Sequence, residues 1–223
     1  MVNMEDKNLN KKYELSLVLG RFNHIHNGHK MLIDKSIEMS KKTLILLGSA
    51  QESKTLRNPF LLETRKRLLN KIYNSDDIVV YGLDDMSHEH DISFKWGRYI
   101  LDNVKKYMDR KPDVMFYGND ESRNGWFAPE DIEGIDEQII SRNIIKISAT
   151  NLRGLILINK KDEWVKYVPE EIFDEFEALR EELMNVDIYK EIYEKMGNDF
   201  SLENFLNIYK EYEIKDKEDK MKK

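Results

Sequence analysis

The chain has 223 residues and no cysteine, which excludes disulfides and thiolate metal sites. Proline is scarce, with four in all. No Pro- or Ser-rich stretch marks a linker, and no segment repeats. No apolar run is long enough to cross a bilayer. The opening stretch, MVNMEDKNLNKKYE, is charged rather than shaped like a signal sequence. A soluble, cytoplasmic protein is therefore expected. Basic residues are outnumbered, 36 Lys and Arg against 42 Asp and Glu, for a net charge of −6. That balance argues against a general nucleic-acid coat, which needs a basic face, but not against a small anionic ligand held by a few local cations. Histidine is rare too. Of five, His24, His26 and His29 fall together in GRFNHIHNGHKMLI, residues 20–33.

Short apolar runs recur at 13–19, 42–48, 77–82, 113–118 and 143–148, and each reads as a strand. Helical patterns lie between them. Met31, Leu32, Lys35 and Met39 share one side of the first. Leu61, Leu62, Leu68, Leu69 and Ile72 mark the second, and Ile100, Leu101, Val104 and Met108 the third. Strands that are continuously apolar and alternate with helices predict a doubly wound α/β fold, a parallel sheet covered on both faces. Such sheets bind ligands beyond the carboxyl ends of their strands. After Ile158 the pattern turns helical. Ile172, Phe173, Phe176, Leu179 and Leu183 fit one helix face, and DIYKEIYEKM and SLENFLNIYKEY suggest two more helices before a charged tail. The expected division is an α/β domain over 1–184 and a helical extension over 185–223. Truncation after about Asn185 is expected to leave a folded protein, because the α/β pattern is complete by then.

The histidine cluster follows the first strand, and Gly28 stands where the next helix should start. A helix N-terminus offers N–H groups and a positive dipole end, so it favours phosphate. Glycine there lets the backbone approach closely. His26 and His29, three apart, can donate to phosphate oxygens as charge builds on them. A second candidate is ISATNLR at 147–153, where Ser148 or Thr150 can cap a helix and Arg153 lies one turn in, its fork suited to phosphate.

The residues GRFNHIHNGH resemble the H-x-G-H signature of the nucleotidyltransferase superfamily, and ISATNLR resembles its I-S-x-T-x-x-R signature. GSAQESKTLRNPF with Arg65, DISFKW at 91–96 and DEWVKYVP at 162–169 resemble segments of the archaeal-type nicotinamide-mononucleotide adenylyltransferases. The resemblance covers roughly 13–170. It implies a Rossmann-like fold and transfer of AMP from ATP to nicotinamide or nicotinate mononucleotide, giving pyrophosphate. It implies His26, His29 and Arg153 as the catalytic residues, and Gly20, Arg21, Phe22, Gly28, Ser148 and Thr150 at ATP. Trp96, Asn58, Asp91 and Asn119 are assigned to the acceptor, with Trp96 stacked on the pyridine ring. Mg²⁺ is expected to enter with ATP, held by phosphate oxygens and water.

The chain departs from the family pattern at two places. His24 stands where the family has proline, which makes it a wall or supporting residue rather than a catalytic one. Thr64 stands where the family has Glu, with Glu63 adjacent. His88, His90 and Asp91 read either as a metal cluster or as a plain loop, and Trp126 and Phe127 as a base platform or as core. The C-terminal helices have three readings: closing the pocket, forming a homo-oligomer contact, or covering the sheet, the last being simplest. Competing functional readings are a cytidylyltransferase, a phosphopantetheine adenylyltransferase, and a nucleotide-binding regulator without activity.

Overall fold

The computed structural model describes residues 11–86, 94–118, 125–141 and 147–221. In chain order its first elements are β1 (Tyr13–Gly20), α1 (Asn27–Met39), β2 (Ser40–Leu47), α2 (Leu62–Ile72), β3 (Ile78–Gly82), α3 (Lys95–Met108), β4 (Val114–Gly118) and β5 (Asp136–Ile140). There follow α4 (Ala149–Leu157), α5 (Lys161–Trp164), a 3-10 turn at Glu170–Glu175, α6 (Phe176–Met184), α7 (Asp187–Lys195) and α8 (Leu202–Met221). The chain forms two compact units. One takes Met1–Arg21, Gly28–Gln51 and Tyr73–Lys146; the other takes Phe22–Asn27, Glu52–Ile72 and Ile147–Lys223.

The first unit holds a parallel five-stranded sheet of order β3-β2-β1-β4-β5. The chain steps outward from β1 to β3, then returns to add β4 and β5 on the other side, which is the doubly wound, Rossmann-like topology expected. The order reverses between β1 and β4, and ligands of such sheets bind beyond strand ends at that reversal. Residues 15–19 of β1 and the whole of β4 are buried, as strands covered on both faces require. On one face Ile100, Leu101 and Val104 of α3 pack with Leu15, Leu17, Leu44, Leu46 and Met115. On the other, Ser36 of α1 lies 3.4 Å from the Thr43 hydroxyl, itself 3.0 Å from that of Ser16. Helices thus cover both faces.

Four of the expected strands stand within two residues of their predicted limits. β5 does not. Its sequence, DEQII, sits at a sheet edge with no residue fully buried, so it carries no apolar run to betray it. The strand expected at 143–148 falls largely on residues outside those described.

The second unit is helical. Glu182 of α6 caps α2, accepting from the backbone N–H of Leu61 at 2.7 Å and from the Thr64 hydroxyl at 2.8 Å. Arg67 and Lys71 of α2 pair with Glu175 at 3.0 Å each. The helices on both sides of 184/185 fall in one unit, which takes Ile147–Lys223 throughout. Tyr189 and Ile192 of α7 and Phe205 of α8 are fully buried. Gly154 of α4 shows how closely α8 approaches: a Cβ there would stand 2.5 Å from Phe205 Cδ1 and 2.7 Å from Leu202 Cδ1. The C-terminal helices therefore belong to a core, which argues against their being dispensable for folding. A chain ending at Asn185 should lose cooperative melting of this unit, and Gly154→Ala should cost about 1–3 kcal/mol by overpacking. Calorimetric scans of both against the full chain check this; a truncated chain with an unchanged transition would contradict it.

Candidate active site

β1 ends at Gly20, whose carbonyl accepts from Gly48 N–H at 3.1 Å just past β2. Arg21 is exposed, and the turn that follows is buried from Phe22 to His26. A buried turn must satisfy its own polar groups. Phe22 sits at φ 49°, a left-handed conformation that costs a bulky L-residue free energy and persists only where its surroundings hold it. The Asn23 side chain bonds to the 52–60 loop from both ends of its amide, accepting from Phe60 N–H at 3.2 Å and donating to Asn58 Oδ1 at 3.3 Å. His26 is buried immediately before α1, whose first N–H, that of Asn27, donates to Tyr167 O at 2.8 Å. Gly28 is buried in the first turn of α1, and His29 beside it is half-buried. The expected strand-to-helix junction is therefore present, with His26, Gly28 and His29 all at the helix start.

His24 does structural work in this turn. It is fully buried, accepts at Nε2 from Trp164 Nε1 at 3.0 Å, and stacks on that indole with ring centres 5.6 Å apart. The accepting Nε2 assigns the proton to Nδ1, which is buried with no hydrogen-bond partner among the described residues. Burial above all, with smaller contributions from His26 and Arg153, pushes its pKa down to about 3.

The second signature also folds as its residues dictate. Ser148 caps α4: its hydroxyl accepts from Asn151 N–H at 3.1 Å, and Asn151 Oδ1 accepts in return from the Ser148 N–H and hydroxyl, a reciprocal capping box. Ser148 is exposed and Thr150 half-buried, whereas Arg153 is 4% exposed. Arg153 donates from Nε to the Tyr189 hydroxyl at 2.7 Å, and from Nη2 to Thr150 Oγ1 and the Tyr209 hydroxyl, both at 3.0 Å. Nη1 donates to the Asn23 carbonyl. Burial works against its charge, but the phenol oxygens around it more than offset that, so the guanidinium stays charged. Both tyrosine hydroxyls donate onward to one acceptor, the Leu56 carbonyl, at 2.9 and 3.2 Å. Tyr189 and Tyr209 carry no sequence motif; a polar-tipped aromatic on each helix face is the only hint of them.

Of the residues assigned to the acceptor, Asp91 and Asn119 lie outside the described residues, as do His88 and His90. Asn58 is 2% exposed, and its amide is engaged internally, donating to Glu52 Oε2 at 2.7 Å and accepting from Asn23. It holds the 52–60 loop together. Trp96 is half-buried at the start of α3, packed against the core with Tyr99 and Trp126, ring centres 5.6 and 6.3 Å away. Trp126 and Phe127 likewise pack on that core. Among the described residues no group of three or more His, Asp or Glu could hold a metal ion.

A family model described as cytidylyltransferase-like matches residues 17–190. The chain belongs to the cytidylyltransferase-like family. Both signatures fall inside the matched span. Two archaeal relatives, from Thermococcus kodakarensis and Thermococcus sibiricus, are each named nicotinamide-nucleotide adenylyltransferase. They are 28% and 27% identical over 160 and 166 residues, 70% and 74% of this chain and 78% and 83% of theirs. A solved structure from Francisella tularensis, a bifunctional NMN adenylyltransferase/ADP ribose pyrophosphatase complexed with AMP and a manganese ion, is similar in fold with a TM-score of 0.58 at 20% identity. It covers 91% of this family member, which spans only 56% of that longer chain. No described helix of this family member is long and apolar enough to cross a membrane.

The His24 environment makes stability depend on pH. The unfolded imidazole protonates near 6.5 and the folded one only near 3, so the unfolded state takes up the proton first as the pH falls. Stability that His24 lends above 6.5 is thus lost progressively down to about 3. At pH 5 the loss should be about 2 kcal/mol. His24→Gln, which does not titrate, should flatten the fall of melting temperature between pH 7 and 4. Parallel acid slopes for the two proteins would contradict this.

Proposed function

We propose that this chain transfers AMP from ATP to nicotinamide or nicotinate mononucleotide, forming the dinucleotide and releasing pyrophosphate. The observation that carries the proposal is the pairing of two helix-starting signatures, His26-Asn27-Gly28-His29 and Ser148 to Arg153, in one member of this family. The names of the archaeal relatives support the choice of acceptor.

The chemistry needs little covalent help. The acceptor's phosphate oxygen attacks the α-phosphorus of ATP, the α–β bridging P–O bond breaks, and its electron pair leaves with pyrophosphate. A phosphate monoester is largely ionised near neutral pH, so no protein base is needed. The protein must offset repulsion between anions, align the attack and stabilise the leaving group. His26, His29 and the start of α1, with Gly28 in its first turn, are assigned to the ATP phosphates, and so are Gly20, Arg21 and Phe22 at the end of β1. Arg153 is assigned to the β- and γ-phosphates. Thr150 accepts from Arg153, so its own hydroxyl hydrogen can go to a phosphate oxygen, and the exposed Ser148 stands at the same helix start. Trp96 offers an aromatic face to the pyridine ring.

Histidine and arginine N–H groups and hydroxyls suit phosphate oxygens better than they suit a hard cation such as Mg²⁺, which takes oxygen ligands. That donor set fits Mg²⁺ carried in on the triphosphate, held by phosphate oxygens and water. When bound, the ion supplies neutralisation of the leaving pyrophosphate. A cytoplasmic location is part of the same proposal.

Incubation with ATP or CTP against a panel of phosphate acceptors, with pyrophosphate as the readout, tests the reading. ATP with either pyridine mononucleotide should give pyrophosphate; turnover only with CTP would identify a cytidylyltransferase, and no turnover a binding protein. In the active pair, His29→Ala should lower kcat by about 10²–10³ and weaken ATP binding less, as for a donor used mainly in the transition state. Equal kcat would remove His29 from the chemistry.

A further inference from the structure

We infer that Tyr189 and Tyr209, from the two C-terminal helices, are positioning residues for Arg153 in nucleotide binding, a proposal that rests on the reading of the chain as ATP-binding. The argument starts from charge. Arg153 is buried, and each of its four hydrogen-bond partners is a neutral oxygen. A buried cation is ordinarily paired with a carboxylate. Here it is not. Burial pushes the Tyr189 phenol up, so that partner is a neutral hydroxyl at physiological pH. A carboxylate in either place would hold the guanidinium as firmly, but would cancel the charge that a phosphate needs. Hydroxyls fix the fork and leave its charge intact.

The geometry is closed on the protein side. Each phenol oxygen accepts from Arg153 and donates to the Leu56 carbonyl, so each hydroxyl's hydrogen has a destination away from the arginine. The Tyr209 ring also lies 5.7 Å from the guanidinium carbon. Among the described residues, the four contacts occupy every guanidinium hydrogen except one on Nη1. That hydrogen, with the Thr150 hydroxyl, is what the cluster offers an anion.

Full-length Tyr189→Phe and Tyr209→Phe test this by ATP titration calorimetry, steady-state kinetics and melting. Each folded variant should bind ATP about tenfold more weakly, from loss of one hydrogen bond to a charged group, while KM for the mononucleotide stays within about twofold. A purely structural role would lower the melting temperature and leave ATP affinity unchanged, which would overturn the proposal. A measurement on the unmodified protein stands beside the variants: the Arg153 Nε–H resonance, assigned by its loss in Arg153→Lys, should shift on saturation with ATP. No shift would overturn the proposal even if neither variant folds. Wild-type protein that binds ATP without transferring AMP would defeat the proposed activity alone, and the positioning role would still be decided by ATP affinity. Wild-type protein that binds no ATP would defeat both.

Discussion

A guanidinium taken out of water without a counter-charge is expensive, by several kcal/mol even after relaxation. Arg153 accepts that cost and offsets it with four hydrogen bonds to neutral oxygens, a charged bond contributing about 1.5–3 kcal/mol each. The donors of those oxygens define the unit around it. Asn23 comes from the turn after β1, Thr150 from the first turn of α4, Tyr189 from α7 and Tyr209 from α8. Through the two phenols the Leu56 carbonyl, and with it the 52–60 loop, joins the same network. Removing any one contributor leaves a buried polar group searching for a partner, which is why these segments must fold together.

The turn from Phe22 to His26 shows the same economy. Turns usually run over the surface because a buried one strands backbone groups. This one is buried and yet provided for: the Asn23 carbonyl faces Arg153, its amide ties down the 52–60 loop, and the His24 imidazole meets Trp164. Such over-determination can hold Phe22 at a positive φ. It also fixes where His26 ends and α1 begins.

What could be read from sequence follows from the range of the interactions. Three strands were legible because parallel strands buried on both faces leave continuous apolar runs, as in LSLVL and LILL; β3, half-buried at the other edge, was legible because its sequence IVVYG is apolar all the same. The α4 cap was legible because Ser148 and Asn151 are three residues apart and act locally. β5 was hidden because an edge strand of sequence DEQII needs no such run. The role of the C-terminal helices was hidden for another reason. Tyr189 and Tyr209 meet Arg153 from 36 and 56 positions away, and His24 meets Trp164 from 140. No periodicity carries contacts at that range. The same distance explains Asn58, whose place in a substrate-like motif gave no sign that its amide is spent on Asn23 and Glu52.

An arginine kept charged among neutral oxygens should matter to an anionic ligand as well as to the fold. ATP affinity and melting temperature of Arg153→Met, measured side by side with the wild type, put that to the test most directly. Losing the guanidinium also strands the oxygens that accept from it, so the melting temperature should fall as well. The account predicts ATP binding weakened by tenfold or more, measured at a temperature where the variant is still folded. Unchanged ATP affinity in the folded variant would contradict it, and would make Arg153 a structural residue.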